Sequence, residues 1–383
     1  RTGGSDIPMR HARSLNLILP LLLGLAPSAS VLAGATPTAA PAQSPAPSAP
    51  AKPSADKPTE PVFAPSDNLV VAGVPPVPKR LVERVGRYTE FRSAGFADWH
   101  PLRREQLIIT RFGDVPQIHN VAFPGGARTQ LTFFPDRIGS ASYEPTRGDY
   151  FLFMKDVGGG EWFQIFRYDL SNGDITMLTD GKSRNLGMIW NHTGTQIAYS
   201  STRRTGKDTD LWVMNPLDKS SDKLVLELAG GGWGALDFSP DGKQIILQEE
   251  LSINESYLWL VDIEKKEKTL LTPKGGAEKI SYGRSRFSKD GKGIYLTTDQ
   301  ESEFQRLAYF DLATKKYTFL STSIPWDIED FDLSHDGRTL ALTSNENGES
   351  RVYLLSTQTK QLKPLKEIPV GVVSGVAFHR SGT

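Results

Sequence analysis

Phe238-Ser239-Pro240-Asp241-Gly242-Lys243-Gln244-Ile245-Ile246-Leu247-Gln248 reads as the end of one strand, a tight turn and a second strand. Asp-Gly needs positive φ, which glycine adopts without steric cost, and a primed turn of this kind suits the twist of two antiparallel strands. Tyr257-Leu258-Trp259-Leu260-Val261-Asp262 and Lys268-Thr269-Leu270-Leu271-Thr272 supply a third and a fourth strand. Working outward, the phrase recurs at Trp99-His100-Pro101, Tyr143-Glu144-Pro145, Trp190-Asn191-His192-Thr193-Gly194, Phe287-Ser288-Lys289-Asp290-Gly291, Leu333-Ser334-His335-Asp336-Gly337 and Phe378-His379-Arg380-Ser381-Gly382. The lead residues are 44, 47, 48, 49, 46 and 45 positions apart. Third-strand anchors at Ile118, Ile165, Leu211, Leu258, Leu307 and Val352 keep the same beat. A strand-rich period in the forties is the signature of a β-propeller, each repeat forming one four-stranded blade. The expectation is an all-β chain of six complete blades plus the start of a seventh, with repeats of TolB-like or WD type.

The seventh copy breaks off inside its turn at Thr383. A strand left alone there would leave backbone groups unpaired. Two outcomes follow from the sequence: a further strand beyond the turn, which the copied phrase favours, or closure of a six-bladed ring by the last segment against blade 1.

Composition narrows the function. The 383 residues carry 44 basic and 44 acidic side chains, six histidines and no cysteine. No excess positive charge is present to neutralise phosphates, so no nucleic-acid partner is expected. Without cysteine there is neither a disulfide nor a thiolate metal site.

Residues 1–8 precede the first methionine and read as an upstream remnant. From Met9, a basic segment (Arg10, His11, Arg13), an apolar stretch from Leu15 to Leu25 and the small-residue site Val31-Leu32-Ala33 form a signal peptide over 9–33. Its apolar stretch is too short to span a bilayer, so no membrane span is expected after cleavage. The expected location is exported, periplasmic or secreted. Residues 34–78 are rich in Ala, Pro and Ser and read as a disordered linker, and 79–383 as the propeller, entered through a short helix near Arg80 to Phe91.

A resemblance becomes specific at Leu81-Val82-Glu83-Arg84-Val85-Gly86-Arg87-Tyr88-Thr89-Glu90-Phe91-Arg92, Phe96-Ala97-Asp98-Trp99-His100-Pro101, Gly125-Gly126-Ala127-Arg128-Thr129-Gln130-Leu131-Thr132, Gly158-Gly159-Gly160-Glu161-Trp162-Phe163 and Ser201-Thr202-Arg203-Arg204. These stretches resemble the propeller of bacterial exported serine peptidases of the prolyl oligopeptidase family, of dipeptidyl- or acylaminoacyl-peptidase type. The resemblance implies a C-terminal α/β-hydrolase domain as partner, carrying a Ser, Asp and His triad, and short peptides as substrates. A triad nucleophile sits in a Gly-x-Ser-x-Gly elbow. The chain has none: Gly181-Lys182-Ser183 and Gly283-Arg284-Ser285 lack the second glycine. The expected role is therefore a non-catalytic propeller that gates access to, and docks on, a hydrolase domain. The alternative is a freestanding TolB-like periplasmic propeller that binds protein partners.

Within a blade the second-to-third-strand loops are the longer and chemically richer ones, and function on rigid scaffolds concentrates in such loops. Glu249-Glu250 is a candidate for a substrate's free amine, because some dipeptide-releasing relatives use adjacent glutamates in their propellers. Arg203-Arg204 is a candidate for a carboxylate, since guanidinium groups bind one in bidentate fashion. The bland readings are solvated acids and salt bridges to Asp208 or Asp210. The glycine runs at 158–160 and 230–232 lack the Gly-Lys-Ser/Thr of a phosphate loop. The histidines are scattered, none at metal-ligand spacing, so no cofactor is expected, and a propeller lyase would want histidines and acids gathered at the channel mouth.

Overall fold

The structure is a computed structural model and describes residues 60–67 and 69–382. The expected upstream remnant, the signal peptide and residues 34–59 of the linker lie outside them. Two units separate at residue 93. In the first, Pro61 to Phe63 pair with Val77 to Lys79 through Phe63 N–H to Val77 O and Lys79 N–H to Pro61 O, both 2.8 Å. A helix then spans Lys79–Thr89, with Leu81, Val82, Val85 and Tyr88 at helical spacing. No helix among the described residues is long and apolar enough to cross a membrane.

From Ala94 the chain builds six antiparallel sheets of four strands, each in sequence order. Blade 4 shows the plan: Trp233–Phe238, Gln244–Ser252, Glu255–Asp262 and Glu267–Leu270, with Phe238 opposite Ile245, Gln248 opposite Leu258 and Trp259 opposite Leu270. The other blades run over 94–130, 138–177, 185–226, 282–319 and 328–364.

Second strands are buried on both faces, and the two-residue strand period decides which neighbour each side chain meets. In blade 4, Ile245 and Leu247 enter the cluster shared with blade 3, whereas Ile246 enters the one shared with blade 5. In blade 2, Phe151 and Phe153 face blade 1, and Tyr150, Leu152 and Met154 face blade 3. Tyr295 of blade 5 packs with Phe331, Leu340 and Leu342 of blade 6. Each such side chain contributes about 1.5–3 kcal/mol by burial, so cohesion lies in the seams between blades.

The outer end of blades 1, 2, 4 and 5 is closed by a repeated hydroxyl. The N–H groups of Ile118, Ile165, Leu258 and Leu307 donate to Thr132, Thr179, Thr272 and Ser321 at 2.9–3.1 Å. A backbone bond at 2.8 Å sits beside each, such as Leu271 N–H to Leu258 O.

The inner turn departs from the primed hairpin expected. Ser239 N–H donates to Gln244 O, and Gly242 N–H to Ser239 O, both 2.8 Å, so four residues rather than two separate the strands. Only the glycine is left-handed, at φ 71° in Gly242, 68° in Gly291 and 73° in Gly337. Asp241 caps the turn instead, accepting from the Ser239 hydroxyl at 2.6 Å and from Lys243 N–H at 3.1 Å. Asp290 and Asp336 repeat this. The hydroxyl bond is the chief reason all three carboxyls titrate below their ordinary value.

The seventh phrase follows blade 6 as extended chain. Phe378 N–H donates to Asp332 at 2.8 Å, His379 Nε2 lies 3.0 Å from His100 O, and the His379 ring meets Trp99 edge-on at 5.7 Å. Arg380 donates to Pro145 O. It therefore lies as the next inner segment after blade 6 and also bridges to blades 1 and 2.

Candidate functional site

Inner strands from all six blades, together with the seventh phrase, line one axial cavity of about 380 Å³ on the side of the short turns. The residue just before each phrase lead forms its inner tier, including Asp98, Asp237, Arg286 and Asp332. In blades 1 and 4 a bulge precedes this aspartate, between Phe96 and Asp98 and between Ala235 and Asp237, and re-aims the side chain. Asp98 accepts from Tyr143 N–H and the Ser142 hydroxyl at 2.9 Å. Asp237 accepts from Phe287 N–H at 2.9 Å and lies 3.3 Å from Arg286. Burial pushes the Asp98 carboxyl up to about 6, with Asp332 adding like-charge repulsion and the hydrogen bonds opposing.

The residue two after each lead forms the mouth: Pro101, Pro145, His192, Lys289, His335 and Arg380. Burial is the chief cause pulling the Lys289 ammonium below its ordinary value; Arg286 and Arg380 act with it, Asp237 and Asp332 against it. His335 is likewise lowered, first by burial and then by Lys289, Arg380 and His192. His192 Nε2–H donates to Phe238 O at 2.9 Å.

Histidines thus meet at the channel mouth with acids in the tier beneath them, where the sequence showed only scattered histidines. They are whole repeats apart, so linear spacing hides them; aligning the phrases by position reveals them. Among the described residues no group of three potential ligands is placed to hold a metal ion.

The four residues singled out from the sequence sit at the opposite end of blades 3 and 4. Arg203 donates to Asp222 at 2.6 Å and to the Tyr199 hydroxyl at 3.1 Å, its guanidinium 4.2 Å from the Trp212 ring centre. Arg204 holds fully buried Asp210 in bidentate fashion at 2.9 Å and also donates to Leu228 O at 3.1 Å. Asp210 in turn accepts from Leu228 N–H at 2.8 Å, so the pair fixes the passage from blade 3 to blade 4. Glu249 is taken by Lys274 and by Trp259 Nε1–H, each at 2.9 Å. The Glu250 carboxyl has no hydrogen-bond or ion-pair partner among the described residues, and burial raises its pKa. It lies at the foot of a hairpin tip where Leu251 and Ile253 are 54% and 60% exposed.

The sequence model of the prolyl oligopeptidase N-terminal β-propeller domain matches residues 137–381. The chain belongs to that family. A search of curated proteins gave no match. Among solved structures, a prolyl endopeptidase is similar at 15% identity and TM-score 0.58, over 73% of this chain and 43% of that one. Oligogalacturonate lyase from Vibrio parahaemolyticus is similar at 12% identity and TM-score 0.56, over 71% and 79%. TolB from Acinetobacter baumannii gives 18% identity and TM-score 0.46, over 73% and 65%. The chain thus spans less than two thirds of the length of the prolyl endopeptidase and of TolB. At these identities the likenesses speak for the fold alone.

Proposed function

We propose that this propeller is the non-catalytic, access-restricting domain of an exported serine peptidase, seated on an α/β-hydrolase domain through its second-to-third-strand face. The family match over residues 137–381 carries the reading. The docking face is supported by apolar side chains in loops at that end of the blades: Phe112, Val157, Trp162, Leu251 and Ile253 are about half exposed or more. With Arg203, Arg204 and Glu249 engaged inside the fold, Glu250 is the candidate left to meet a substrate amine or a partner cation. Export is supported by the pattern over residues 9–33 and is checked by finding Gly34 as the mature N-terminus.

The test is turnover of short and long peptides by the intact peptidase carrying Glu250→Lys with Leu251→Asp. The reading predicts weakened docking and lost discrimination by length. Unchanged turnover and unchanged docking would contradict it.

A further inference from the structure

The two tiers of the axial cavity differ in how fully their charges are satisfied. Asp98, Asp237 and Asp332 accept backbone N–H groups from Tyr143, Phe287 and Phe378, and Asp237 also faces Arg286. The mouth is not satisfied in the same way. The Lys289 ammonium has no hydrogen-bond or ion-pair partner among the described residues, although three carboxylates share its cavity. Arg380 donates one N–H to Pro145 O, and its guanidinium makes no other hydrogen bond or ion pair among the described residues. His335 stands exposed beside them, and His192 comes from across the axis.

Repeat geometry explains why these side chains converge. In four of the turns the left-handed glycine (Gly148, Gly194, Gly291, Gly337) seats against the preceding blade's mouth residue: a Cβ on Gly337 would fall 2.6 Å from Lys289 Cγ, and one on Gly291 would fall 3.7 Å from Pro240 Cδ. The stem of Lys289 is thereby fixed while its charged end stays at the mouth. Where blades 1, 2 and 4 place Pro101, Pro145 and Pro240, blades 5 and 6 and the seventh phrase place Lys289, His335 and Arg380 in succession, so basic side chains fill one arc of the mouth, with His192 of blade 3 facing it.

We propose that this arc is a binding site for an oxyanion, a carboxylate or phosphate group, held by Lys289, Arg380 and His335, with His192 facing it from blade 3. Charge-assisted hydrogen bonds from several converging donors suit such a group, and low-dielectric walls strengthen them. The site lies at the opposite end of the blades from the proposed docking face and does not depend on it. Binding of a carboxylate, whose own charge is constant over this range, tightens as the pH falls and His335 charges. The other charged groups facing His335 are Lys289, Arg380, Arg286, Asp237, Asp332 and Asp336, with His192 across the axis.

The experiment is calorimetric titration of the full chain at about pH 6 and pH 8. Three probes separate the sources: inorganic phosphate, the tripeptide Ala-Ala-Ala, and its C-terminal amide. Heat with phosphate marks a free oxyanion, and heat with the tripeptide but not the amide marks a peptide terminus; either supports the site. Lys289→Met, which keeps the stem, and Arg380→Gln should each weaken binding about tenfold, the size of one hydrogen bond to a charged group. Lys182→Ala, on an exposed outer turn, should change nothing. Absence of binding at millimolar probe, or binding unaffected by both mouth variants, overturns the proposal.

Discussion

Asp332 accepts the backbone N–H of Phe378 at 2.8 Å, the contact that Asp98 makes to Tyr143 and Asp237 makes to Phe287. In each case the aspartate before one phrase's lead holds the lead residue of the next phrase, so blades 1 and 2, 4 and 5, and blade 6 with the seventh phrase share one clasp. Asp237→Ala removes it at a buried position, leaving the Phe287 N–H unpaired and Arg286 without its carboxylate, with only the Leu236 carbonyl to donate to. Denaturant unfolding should show a loss of about 2–3 kcal/mol. A loss below 0.5 kcal/mol would mean the clasp contributes nothing to holding blades together.

Asp98 makes stability depend on pH in a stated direction. Its carboxyl titrates near 3.8 when free and near 6 in the fold, so between these values the folded chain holds the proton more tightly. Its stabilising contribution is present below about pH 4 and is lost as the pH rises through 6. Relative to wild type, Asp98→Asn should flatten this part of the stability curve by about 1–2 kcal/mol, allowing for water in the cavity. Parallel curves across that window would show that the carboxyl is not perturbed.

Turns between third and fourth strands carry a strain that substitution can relieve. Gly173 sits at φ 78° in blade 2, while Lys266, Lys315 and Lys360 occupy the matching turn position in blades 4, 5 and 6 at φ 58°, 59° and 59°. All four make the same bond, such as Lys315 N–H to Asp311 O at 2.9 Å. Lys315→Gly should raise stability by about 0.5–1 kcal/mol, because relief of left-handed strain outweighs the added chain entropy. A lower melting temperature would show the reverse balance.

Inner turns are the opposite case. Gly242→Val places a β-branched residue at φ 71° and should cost about 1–2 kcal/mol or more. Gly148→Ala should cost more than strain alone, since its Cβ would fall 2.6 Å from His100 Nε2 and 2.8 Å from Pro101 Cδ. Thermal unfolding of the two variants ranks them; an unchanged melting temperature in both would misplace the turns.

The blades were legible in the sequence because a strand's two-residue period and a turn's glycine are local and recur at one interval. The turn type was not, because the Asp241 side chain takes the Ser239 hydroxyl and the Lys243 N–H and so holds a four-residue loop, which dipeptide preference does not register. Site residues failed for a related reason. Glu249-Glu250 and Arg203-Arg204 stood out as adjacent like charges, yet three of the four are neutralised by Lys274, Asp210 and Asp222, which come from elsewhere in their blades. Lys289 and His335 looked unremarkable in line and meet only when the repeats are wrapped around an axis.

The central claim is that this propeller works as one part of a serine peptidase. Its most direct test is activity-based labelling of the source cells with a fluorophosphonate probe, followed by digestion of the labelled polypeptides. The account predicts propeller peptides from residues 94–382 in a labelled polypeptide longer than 383 residues, together with a labelled serine outside them. Recovery of those peptides only from unlabelled material would contradict it.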